Sequence, residues 1–147
     1  MTNGGMAETY IPDAAGYLDH ARADHARGAH HCAIRQAHDC VELCLKGILR
    51  LLAVEFPKSH EVSKALRQAR PAMPAWLAVE IERVSAASQW LAERRGPAFY
   101  GNEEKGIPPA DLFTAEDGRR AVAEAEHVRS LAVRLLEEWR RAGTETP

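Results

Sequence analysis

"QAHDCVELCLKG", Gln36 to Gly47, sets two cysteines, two carboxylates, a histidine and a lysine along one segment and keeps the positions between them apolar. At about 3.6 residues per turn these residues sort by angle. Ala33, Ala37, Cys40, Cys44, Gly47 and Leu51 fall on one strip, and Ile34, Val41, Leu45, Ile48 and Leu52 fall on the strip beside it. Two adjoining apolar strips make a face wide enough for the centre of a helical bundle, and the small residues of the first strip let a neighbouring backbone come close. Free cysteines on such a face behave as small hydrophobes, so Cys40 and Cys44 are expected to pack. A redox or metal role would want Cys-x-x-Cys or histidines turned the same way, and the helix offers neither. What remains is a narrow polar strip of Arg35, Asp39, Glu42 and Lys46, with His38 beside it. Arg35 with Asp39 and Glu42 with Lys46 are i,i+4 pairs worth ~0.2–0.5 kcal/mol each in solvent. Alternatively the strip faces a cleft or a second subunit, where Arg35 or Lys46 holds a phosphate through charge-assisted hydrogen bonds.

Working outward, the rest of the chain is also helical. Alternating runs of β-branched and aromatic residues are absent, and Pro and Gly divide the sequence into blocks. The first block is predicted to start after Pro12, with Asp13 as cap, and to end near Gly28, which leaves residues 1–12 as a flexible N-terminus. The second runs from about His30 to Val54. Ser59 caps a short third helix, Glu61 to Arg70, closed by Pro71 and Pro74. A fourth, Pro74 to Arg94, carries Leu77, Ile81, Val84, Ser88 and Leu91 as one buried stripe, with Trp76 and Trp90 beside it. Arg94 to Phe113, "RRGPAFYGNEEKGIPPADLF", holds three Gly and three Pro and is read as the one long loop. "TAED" then makes a capping box, Thr114 with Asp117, and opens a last helix that ends near Arg141, before a flexible tail at 143–147. The expected architecture is all-α: an antiparallel up-and-down bundle of four long or medium helices plus one short helix, forming a single domain over 13–142.

Composition limits the function classes. The chain has 147 residues, 46% hydrophobic and 27% charged, which suffices for one real core. A net charge of −2 argues against a wholly basic DNA-binding face. No apolar run approaches the ~20 residues that cross a bilayer, and the N-terminus lacks the order of a secretion signal, so no membrane association and a cytoplasmic location are expected. Cys32, Cys40 and Cys44, three thiols on one helix, fit a reducing compartment. His20, His25 and His30 are five apart, which turns each about 140° from the last, so they are not expected to converge on an ion. No metal site and no cofactor are expected. Candidate ligand contacts are His60, at the short helix near Lys46, and Arg95 and Tyr100 in the long loop, where a guanidinium and an aromatic ring suit a nucleotide's phosphate and base.

The order "QAHDCVELCLKGILRLL", "PKSHEVSKALRQ", a Trp-bearing helix, "RRGPAFYG" and "DGRRAVAEAEHV" resembles the HEPN family (higher eukaryotes and prokaryotes nucleotide-binding domain) over nearly the whole chain. Gln36-Ala37, Glu42, Leu45-Lys46, His60 and Tyr100-Gly101 carry the likeness. It implies a bundle of four or five helices, often a homodimer, that binds nucleotides or, in a toxin branch of toxin–antitoxin type, cuts RNA. Many members pair with a small nucleotidyltransferase.

The nuclease branch resembles a metal-independent RNase built on an Arg, four to six intervening residues and a His, the Arg steadying phosphate and the His serving as general acid or base. Here only Arg120 and His127 have a separation in that range, with six residues between them. Seven positions at ~1.5 Å rise put them ~10 Å apart along the axis, and Ala121 follows the Arg where nuclease members tend to carry a polar residue. Otherwise they are an exposed Arg and a half-buried His with Glu124 as neighbour. The expected function is therefore a nucleotide-binding, regulatory domain acting with a nucleotidyltransferase-type partner and not catalytic by itself. The alternatives are the RNase using Arg120 and His127, and a self-associating helical adaptor.

Overall fold

A computed structural model describes residues 2–55 and 62–145 of the protein, with side chains to residue 143. The elements are α1 (Asn3–Ala26), α2 (His30–Leu51), α3 (Ser63–Ala69) with a 3-10 turn (Arg70–Ala72), α4 (Ala75–Ala78), α5 (Ile81–Tyr100), α6 (Pro109–Leu112) and α7 (Ala115–Glu145). Among the described residues the only β-type pairing is a lone bridge between Asn102 and Ile107, so the protein is an all-α helical bundle.

α2 sits at the centre, as its double apolar strip requires, and packs against α1, α7 and α5. Ile34, Leu45, Ile48 and Leu49 of α2 are fully buried with Ile11, Leu77, Ile81, Leu91 and Val128 from the helices around it. The small-residue strip does what its composition suggests. At Gly47 a Cβ would lie 2.6 Å from Cγ1 of Ile11, so α1 rests on the bare backbone of α2. α1 also closes on α7: Gly4 lies under the Trp139 indole, and the Arg22–Glu126 and Arg140–Glu8 ion pairs, both 3.3 Å, flank the seam.

Several boundaries differ from the sequence expectation. α1 begins at Asn3, so most of the segment expected to be flexible is helical; the cap is Thr2, whose Oγ1 accepts from the Gly5 N–H at 3.0 Å, and not Asp13. Gly4, Ala7 and Ile11 extend the buried stripe of Ala14, Leu18 and Ala21 straight through Pro12. A proline inside a helix costs about 3 kcal/mol because it lacks the N–H and crowds the carbonyl four residues back. Here Pro12 and Glu8, the residue whose carbonyl it fails to match, are both on the exposed face, where water meets that carbonyl. Pro97 and Glu93 repeat the arrangement in α5, which runs on to Tyr100 where a loop was expected.

The expected single helix Pro74–Arg94 is instead α4 and α5, interrupted at Val79 and Glu80. The third helix starts at Ser63; the expected cap Ser59 lies outside the described residues. α7 continues through Gly143 to Glu145, past the expected end at Arg141. Its capping box forms as read: Thr114 N–H donates to Asp117 Oδ2 at 2.9 Å, and Asp117 N–H donates to Thr114 Oγ1 at 3.2 Å.

Candidate functional site

Arg35, at the start of the polar strip of α2, faces the last turns of α5. Arg35 does not pair with Asp39 as the spacing suggested. Its guanidinium lies 3.4 Å from the centroid of Phe99, and Arg95 approaches the same ring at 5.3 Å. The reason is the extension of α5: with Pro97 accommodated, Arg95 and Phe99 stand one turn apart on a helix packed against α2. A cation over an aromatic face gains ~0.5–2 kcal/mol, more than a solvated i,i+4 pair. The Nε atoms of both arginines are buried with no hydrogen-bond acceptor, and among the described residues no carboxylate bonds either guanidinium. Two like charges are thus gathered on one ring with donor capacity to spare.

Tyr100 lies beside Phe99, ring centroids 5.8 Å apart, and is 70% exposed. It lines an open groove of about 810 Å³ with Glu93, Arg94, Pro97, Glu103 and Phe113. The turn that follows is tightly specified. Gly101 has φ 74° and ψ −156°, a backbone region open essentially to glycine alone, and a side chain there would strike the Ile107 carbonyl. Asn102 N–H donates to Ile107 O at 2.8 Å, Ile107 N–H returns the bond at 2.9 Å, and Asn102 Oδ1 accepts from Lys105 N–H at 3.0 Å.

Other expected residues stand elsewhere. Lys46 pairs with Glu42 at 3.3 Å, as the spacing predicted, three turns from Arg35. His60 lies outside the described residues. His38, Asp39 and Glu42 bring one ligand atom each within 4.8 Å of one another, but the Glu42 carboxylate is already held by Lys46. Arg120 and His127 are held by different partners. Arg120 is 4.3 Å over Trp90, which also carries Arg94 at 4.3 Å, while His127 Nε2 meets Glu80 Oε2 at 3.1 Å in place of the expected Glu124. Glu80 reaches α7 because the break between α4 and α5 falls at that residue.

Cys40 and Cys44 are fully buried, in line with the packing reading. The Cys44 thiol donates to Cys40 and, with burial opposing and Arg129 assisting, holds Cys40 below the usual thiol range, while Cys44 is pushed well above it. The divergence expected of the histidines fails at one point. The left-handed turn at Gly28, φ 83°, reverses the chain between α1 and α2 and brings His25 and His30 together, Nδ1 to Nδ1 at 3.1 Å. Sequence reasoning also missed Phe99 and Trp90, the rings that gather the arginines. The available signal was Arg95 and Phe99 at i,i+4, legible only if the helix crosses Pro97.

The fold is a small all-α bundle in which Arg35 and Arg95 gather on Phe99, Arg120 stacks on Trp90 and His127 bonds Glu80. The sequence matches the HEPN domain over residues 7–138, and the chain belongs to the HEPN family. Among solved structures, an archaeal HEPN homologue known from its crystal structure has the same fold, with a TM-score of 0.66 at 20% identity over 88% of this chain and 97% of its own. No curated protein matches the sequence.

Proposed function

We propose that this HEPN domain binds a nucleotide and works with a nucleotidyltransferase-type protein, without chemistry of its own. The observation that carries the proposal is the pair Arg35 and Arg95 gathered on the one ring of Phe99. Both guanidiniums are half-buried and free of carboxylate partners among the described residues, so their terminal N–H groups suit a phosphate through charge-assisted bonds. Tyr100, exposed beside Phe99 at the edge of the groove, offers a base a stacking surface within one nucleotide's length of the guanidiniums. The partnership and an arrangement as a homodimer rest on the family likeness.

The test is thermal denaturation of the purified protein across a nucleotide panel, with ATP first. A ligand that binds only the folded state at 100 times its Kd stabilises it by ~2.7 kcal/mol. The expected result is a rise in Tm with at least one nucleotide, abolished by Arg35→Ala and by Arg95→Ala. No shift with any nucleotide would remove nucleotide binding and leave partner binding or self-association.

A ribonuclease using Arg120 and His127 has less support. The Arg is stacked on Trp90 and the His is bonded to Glu80, so each is engaged by a different partner. Total RNA left intact in chelator by folded protein would dismiss it; cleavage lost in His127→Ala would restore it. Among the described residues no helix is long and apolar enough to cross a membrane.

A further inference from the structure

The contact between His25 and His30 has no part in the proposed nucleotide site, and its geometry invites a different ligand. The Nδ1 atoms face each other at 3.1 Å, with the rings tilted 55° and their centroids 5.1 Å apart. Imidazole nitrogens bind Zn²⁺ at ~2.0–2.1 Å, so two of them at this separation subtend about 100° at a shared ion, near the tetrahedral angle. A mutual hydrogen bond requires one ring to carry its proton on Nδ1 and the other on Nε2. Ligation by both Nδ1 lone pairs lets both rings take the same tautomer, with each Nε2–H free for solvent.

Three elements hold this pair. α1 supplies His25 near its end, the left-handed Gly28 turns the chain, and α2 supplies His30 at its first position. α7 closes the corner at Gly118, where a Cβ would stand 2.7 Å from both Nδ1 atoms. The absence of a side chain at that position is what allows the two rings to face each other beneath α7.

The charges around the corner suit a cation. Arg27 is bonded to Asp24 and Arg119 to Glu116, so both nearby guanidiniums are already neutralised. Glu116 and Asp117 oppose the partial positive charge at the start of α7. His25 and His30 are only half-buried, which leaves room for water on the remaining coordination positions.

We propose that His25 and His30 form a two-imidazole clamp for a divalent transition cation of the Zn²⁺, Ni²⁺ or Cu²⁺ class, at the corner where α1, α2 and α7 meet. Imidazole is the preferred ligand of these ions, and a site with two protein ligands and open positions binds exchangeably.

The experiment is calorimetric titration of the metal-free full chain with Zn²⁺, followed by the ring ¹⁵N shifts of the histidines. The expected result is one site per chain, affinity reduced about tenfold or more in His25→Gln, His30→Gln and Gly118→Ala, and unchanged in His38→Gln. Gly118→Ala removes no ligand, so its loss of affinity reports the geometry of the pair. Zn²⁺ should move the Nδ1 resonances of His25 and His30 in the wild type, a readout that stands if a variant fails to fold. Absence of saturable Zn²⁺ binding overturns the clamp. So does binding that survives His25→Gln and His30→Gln, or that only His38→Gln abolishes, which would point to the cluster of His38, Asp39 and Glu42.

Discussion

Gly101 and Arg35 show the two ways a single residue shapes this protein. Gly101 is fixed by what it lacks: with φ 74° and the Ile107 carbonyl where a Cβ would go, Gly101→Ala is expected to destabilise the fold by about 1–3 kcal/mol, checked by denaturant titration. Because the glycine ends α5, the same variant should also displace Tyr100 and weaken any nucleotide-dependent rise in Tm. Arg35 is fixed by what it meets. Its place on the polar strip of α2 was legible from angle, and so was the Glu42–Lys46 pair. Its stacking on Phe99 was not, because periodicity within one helix carries no information about the ring another helix presents. Phe99→Leu keeps an apolar contact but removes the ring's quadrupole. It is expected to cost about 0.5–2 kcal/mol, and a double-mutant cycle with Arg35→Ala should show coupling of the two positions.

For whole elements, the sequence was clear at the capping box that opens α7 and misleading at Pro12 and Pro97, where a proline looked like a stop. Thr114 and Asp117 were readable because the capping box is local. Thr114→Ala is expected to cost ~1 kcal/mol, seen as a lower Tm with most of α7 intact by circular dichroism. Pro12 and Pro97 were misread because whether a proline ends a helix depends on which face it occupies. On an exposed face the lost bond is made good by water, and the buried stripe of Gly4, Ala7 and Ile11 outweighs the remaining cost.

The tether of the third helix and its 3-10 turn to α5 has a pH signature. Arg67 and Arg70 both bond Glu82, and the Arg67 hydrogen bond, followed by the charges of both arginines, holds its carboxyl below the usual value of 4.5. A depressed folded-state pKa gives stability that is present above 4.5 and is lost as pH falls through the lower folded value. Glu82→Gln should therefore lower stability at neutral pH, leave it unchanged below the folded value, and so flatten the acid end of the stability profile, measured by urea midpoints across pH.

At the scale of the molecule, the all-α class and the central place of α2 followed from one segment, since only a core helix affords two adjoining apolar strips. The candidate site did not follow, because it is assembled where three elements meet: α2, the far end of α5 and the turn after it. Residues on any one of them look like ordinary surface. The close fit of α1 on α2 can be tested directly. Gly47→Ala gains up to ~1 kcal/mol of helix propensity but forces a Cβ to 2.6 Å from fully buried Ile11, and overpacking of this kind costs ~1–3 kcal/mol. Net destabilisation is expected, and it should shrink in an Ile11→Ala background, which opens the space the new methyl needs.

The seam between Gly4 and Trp139 joins α1 to a stretch of α7 that is synthesised much later. At ~5–20 residues per second, α1 waits on the order of ten seconds for its partner to be synthesised. Through that interval the face of α1 around Gly4 and the second apolar strip of α2 are open together. During synthesis, then, the nascent hairpin of α1 and α2 is the stage most in need of shielding by a chaperone.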